Sequence, residues 1–89
     1  MVLVKRLVLD VLKPHQPNAL EFSLAIARSG EDYQVRLTVV EMDESTETVQ
    51  LEIEAKAIDF EVIQSAITSM AGSLHSIDEV VVHSEADTD

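Results

Sequence analysis

The stretch Leu7-Val8-Leu9-Asp10-Val11-Leu12-Lys13-Pro14-His15-Gln16-Pro17 decides how this chain folds. Leu7, Leu9 and Val11 alternate with Val8, Asp10 and Leu12, the period-two pattern of a half-buried strand. Two prolines bracketing His15 end it, because proline has no N–H to give to a ladder. Asp10 stands inside this apolar run. A charge there has to meet water, a counter-charge, a metal or a partner.

The same reading extends downstream. Pro17 suits a first helical turn, with Asn18 or Gln16 as its cap. Ala19, Phe22 and Ile26, with Leu20, Leu24 and Ala27, form a wide stripe at helical spacing, and Gly30 closes the helix. Val35, Leu37 and Val39 alternate with Arg36, Thr38 and Val40 as a second strand. Asp43-Glu44-Ser45-Thr46 is a polar turn. Val49, Leu51, Ile53 and Ala55 alternate with Gln50, Glu52 and Glu54, so strands two and three make a hairpin with Arg36 opposite Glu54 or Glu52. Asp59 caps a second helix whose core spacing is Phe60, Ile63, Ala66, Ile67 and Met70, and Gly72 ends it. Ile77, Val80, Val81 and Val82 are a fourth strand.

Strand, helix, strand, strand, helix, strand with right-handed crossovers is an α+β, ferredoxin-like βαββαβ sandwich. It predicts a four-stranded antiparallel sheet, ordered four-one-three-two, with two helices on one face. Residues 1–84 form a single domain and residues 85–89 an acidic, frayed C-terminal tail. Val4, Val8, Leu12, Val40 and Met42 fall on the sheet face that no helix covers, which points to self-association.

The chain carries 17 acidic residues against 6 basic ones, a net charge of -11. That balance argues against nucleic acid and anionic membranes as partners, since both need clustered Lys and Arg. No run approaches the roughly 18 apolar residues of a membrane helix. The opening residues lack the order of a secretory signal, so a cytoplasmic location is expected. Cysteine is absent, which excludes disulfides, thiolate metal sites and cysteine nucleophiles. Gly30 and Gly72 are the only glycines, so no phosphate-cradling loop exists, and no Ser/His/Asp spacing suggests a nucleophile.

The topology brings the polar residues to one end of the sheet. Strands one and two end there, and strands three and four begin there. That edge collects Asp10 and His15 from the first strand and its loop, Glu41, Asp43 and Glu47 from the hairpin, and His75, Asp78 and Glu79 from the fourth strand. Carboxylates so gathered suit a hard divalent cation, Ca²⁺ ahead of Mg²⁺ or Zn²⁺, with the two histidines as further candidate ligands.

Three blocks carry a resemblance. They are Arg6-Leu7-Val8-Leu9-Asp10-Val11-Leu12-Lys13-Pro14-His15, then Leu37-Thr38-Val39-Val40-Glu41-Met42-Asp43 with Thr46-Glu47, then Gly72-Ser73-Leu74-His75-Ser76-Ile77-Asp78-Glu79-Val80-Val81. In this order they resemble a small, largely archaeal family known as the two-hundred-and-eleventh domain of unknown function. The resemblance implies a ferredoxin-like fold and homo-oligomeric assembly, and no particular activity. The expectation is therefore a non-enzymatic, homo-oligomeric domain that binds a divalent cation at its acidic sheet edge. The alternative is a regulatory domain sensing a small molecule at a subunit interface.

Overall fold

The computed structural model describes residues 1–86. Its elements are β1 (Val2–Pro14), α1 (Ala19–Arg28), β2 (Gln34–Met42), β3 (Thr46–Glu54), α2 (Phe60–Ser69) and β4 (Ser73–Ser84). The sheet runs β2-β3-β1-β4, and every neighbouring pair is antiparallel. This is the expected ferredoxin-like α+β architecture with the expected strand order. No helix among the described residues is long and apolar enough to cross a membrane.

The core follows from strand parity. Leu7, Leu9 and Val11 of β1 lie opposite Ile53, Leu51 and Val49 of β3, and all six are buried. The helices close over them with Phe22, Ile26, Ile63 and Ile67. Each helix start is capped as its sequence demands. The Asn18 side chain accepts from the Glu21 N–H, and Glu21 returns the bond to the Asn18 N–H, a capping box. Asp59 accepts from the N–H groups of Glu61 and Val62.

The α1 stripe is narrower than its sequence suggests. Phe22 and Ile26 are buried, whereas Leu20 and Leu24 are exposed. The sheet is also less regular than strict alternation. A bulge at Lys5 returns Val4 to the core side, where it packs against the central cluster rather than on the open face. A bulge at Val40 moves Met42 opposite Glu47, on the helix side of β2. Val8 stays on the open face, opposite Glu52 and Glu79, yet is buried among its neighbours.

The glycines act through closeness rather than through backbone freedom. Neither takes a positive φ; Asp32 and Ala71 do so instead, at 52° and 62°. A Cβ on Gly30 would collide with the Tyr33 ring, and one on Gly72 would come within 2.9 Å of the Ile67 side chain. The helices end just before these glycines, at caps Ser29 and Met70.

The β1–β4 pair outruns the rest of the sheet, because β3 joins β1 only from Arg6 onward. On its helix side β4 presents Leu74, Ile77, Val80 and Val82, the partners of Val11, Leu9, Leu7 and Val4. Only Leu74 packs on the core; the other three are 46–56% exposed. Of the C-terminal tail, Glu85 is held by the Met1 carbonyl and by Lys5, and residues 87–89 lie outside the described residues.

Candidate functional site

The candidate residues divide between the two faces of the sheet. Asp10 occupies the open face, in register with Gln50 on one side and Ser76 on the other. Two bulges in β4 leave His75 and Asp78 without a partner of their own in β1, on either side of Ser76. Such bulges re-aim side chains. His75 Nδ1 comes 3.4 Å from Asp10 Oδ2, and the Ser76 hydroxyl donates to Asp78 Oδ1 at 2.7 Å. Two shallow hollows meet here and share Asp10 and Thr48. One, of about 190 Å³, is completed by Leu12 and His75. The other, of about 220 Å³, is completed by Val40, Gln50 and Asp78.

Glu47 lies on the opposite face. It follows the parity of Val49, Leu51 and Ile53, so it points toward the helices, as does Lys13 in register with it. Lys13 is fully buried, donates to Glu47 Oε1 at 3.1 Å and to the Pro14 carbonyl at 2.7 Å, and sits 5.7 Å from the centre of the Phe22 ring. His15 engages the other carboxylate oxygen, with Nδ1 2.9 Å from Glu47 Oε2. Its Nε2 lies 3.0 Å from the carbonyls of both Asp43 and Glu44. The Glu47 hydrogen bond, with those carbonyls, raises the His15 pKa above the ordinary histidine value. The bonds from His15 and Lys13 hold the Glu47 carboxyl below its ordinary range.

Glu79 belongs to a third cluster. Arg6 of β1 reaches carboxylates on both neighbouring strands: Nε donates to Glu79 of β4 at 2.5 Å, and Nη1 and Nη2 donate to Glu54 and Glu52 of β3, each at 2.6 Å. Arg36 pairs with Glu52 in the β2–β3 register, at a loose 3.7 Å.

The structure thus brings Asp10 together with His75 and Asp78, and His15 together with Glu47 and the turn that contains Asp43. It keeps these groups apart from each other. Glu41 and Asp43 belong to β2 and its turn, whereas His75 and Asp78 belong to β4. Those strands are the two edges of the sheet, three spacings or roughly 14 Å apart. Among the described residues no three His, Asp or Glu side chains stand close enough to hold a metal ion. Arg6 and Lys13 were absent from the sequence-based candidate set. Lys13 was nonetheless legible, since it extends the buried parity of Leu7, Leu9 and Val11, as Glu47 extends that of Val49.

A small ferredoxin-like domain, with an acidic open face and a buried ion pair under its helices, is the class that fold and site define. The chain belongs to the DUF211 family, described as uncharacterized ArCR, whose model matches residues 5–86. It is also 44% identical over 78 residues to an uncharacterized protein, MJ0319, of Methanocaldococcus jannaschii, covering 88% of this chain and 80% of that protein.

Proposed function

We propose that this protein is a non-enzymatic, homo-oligomeric domain of the cytoplasm that takes up a divalent cation on its open face when copies assemble. The observation that carries the reading is β4. It is an edge strand, with its outer backbone groups unpaired and an uncharged apolar row, Ile77, Val80 and Val82, left uncovered. In a chain of charge -11, this row carries no carboxylate of its own, Asp78 and Glu79 of the same strand belonging to the other face, so two copies approach along it at reduced electrostatic cost. An exposed apolar edge of this kind is an association surface.

The cation part of the reading rests on Asp10 and Asp78, with Thr48 and Gln50 as neutral oxygen donors beside them. Oxygen ligands favour Ca²⁺, which takes about six to eight of them. Two carboxylates supply a minority of that number, so water or a second copy provides the rest. Calorimetric titration of chelator-treated protein with Ca²⁺, Mg²⁺ and Zn²⁺ tests this. The reading expects Ca²⁺ heat that Asp10→Asn abolishes; no heat with any of the three contradicts it.

A second reading, a regulatory domain for a small molecule, is favoured by the paired hollows around Asp10 and Thr48, which mix polar walls with Leu12 and Val40. A thermal-shift screen of small polar metabolites separates the two readings.

A further inference from the structure

We propose that His15 is held as the doubly protonated imidazolium and acts as a pH-operated latch that fastens the β2–β3 turn to the end of β1. The geometry requires two protons. Nε2 faces only carbonyl oxygens, those of Asp43 and Glu44, and Nδ1 faces only the Glu47 carboxylate. Carbonyls and carboxylates accept and cannot donate, so a neutral ring, with one N–H, leaves one side unbonded. Because one ring grips the turn with one edge and β3 with the other, losing either proton loosens the turn.

The charged groups around the ring agree. Glu47 of β3 offers its second oxygen to Lys13 of β1, so one carboxylate serves two cations. Asp43 and Glu44 meet the ring through their main-chain oxygens. At the start of α1, Glu21 is turned to Asn18. Asp10 and His75 lie on the other face of the sheet. Neither His15 nor Glu47 takes part in the cation reading above, so this inference stands or falls without it.

Release has a defined consequence. The turn closes through the Asp43 N–H bonded to the Thr46 carbonyl at 2.8 Å. Freed from His15, the turn lifts from β1 and opens a water path to the Lys13–Glu47 pair, which is otherwise buried. Nitrogen-15 NMR of the intact protein tests the charge state, and hydrogen exchange at the Asp43 amide tests the latch. The expected result is two protonated ring nitrogens at neutral pH, with loss of Asp43 protection, corrected for intrinsic exchange, as the ring titrates. In His15→Gln the same amide is poorly protected at every pH. A neutral His15 ring at pH 7, or Asp43 protection unchanged across the titration, overturns the proposal, and neither measurement on the wild-type chain depends on the variant folding.

Discussion

Lys13 and Glu47 face each other across β1 and β3 and meet at 3.1 Å on the side of the sheet that the helices cover. Each sits where its strand's parity calls for an apolar residue, and each removes the other's isolated charge. Lys13 also donates to the Pro14 carbonyl, and no buried side-chain polar atom among the described residues lacks a partner.

Removing Glu47 leaves Lys13 buried with no counter-charge, while removing Lys13 leaves Glu47 to His15 alone and opens a gap beside Phe22. Lys13→Ala lowers the melting temperature by several degrees, whereas the double variant Lys13→Met/Glu47→Leu recovers part of that loss, because a well-packed apolar pair replaces the buried ion pair while His15 loses its carboxylate. Circular-dichroism melts of the two variants decide it. A double variant no more stable than Lys13→Ala contradicts this account.

The same cluster sets a pH window. His15 is raised in the folded chain, so its contribution is complete below its ordinary 6.5 and fades as pH rises through the folded value. Glu47 is lowered, so its contribution is complete above its ordinary 4.5 and fades as pH falls through the folded value. The gap in melting temperature between wild type and His15→Gln is therefore widest between pH 4.5 and 6.5 and narrows on both flanks. A gap independent of pH speaks against the pairing.

On the open face, Arg6 is the common counter-charge of Glu52, Glu54 and Glu79. Arg6→Met leaves three carboxylates facing one another, so it destabilises the sheet, and more so at low ionic strength where repulsion is unscreened. Melts at low and high salt report this. Equal losses at both concentrations show that Arg6 acts through packing of its stem instead.

The core leaves little margin. Phe22 is fully buried against both the sheet and the Lys13 ammonium. Phe22→Ala costs about 3–5 kcal/mol, a large share of the roughly 5–15 kcal/mol that holds a domain of this kind together. Gly30→Ala is destabilising for a different reason. The new methyl displaces the Tyr33 ring, whose hydroxyl accepts the Asp59 N–H at the start of α2. Tyr33 is the one tyrosine in a chain without tryptophan, so its fluorescence reports that displacement directly.

Parity made much of this legible in the sequence. The alternation of Leu7, Leu9 and Val11, and of Val49, Leu51 and Ile53, identifies the core face, and Asp59 and Asn18 mark the helix starts. Bulges were not legible, because an extra residue in one strand reflects its pairing with another. The bulges at Lys5 and Val40 shift Val4 and Met42 to the opposite face from the one alternation assigns. Those in β4 bring His75 and Asp78 to the flanks of Asp10, a closeness that topology suggested only as a shared sheet end. Topology also placed Glu47 in that neighbourhood, and parity, followed one step beyond Val49, assigns it to the other face.

Sedimentation of the wild type and of Val80→Asp tests the central claim most directly. Val80 is 50% exposed on β4, so the substitution spares the core while placing a charge in the uncovered apolar row. The account predicts a wild-type species heavier than the 9.8 kDa chain, and a Val80→Asp variant that sediments as a folded monomer. A wild type that stays monomeric at high concentration, with or without Ca²⁺, contradicts it.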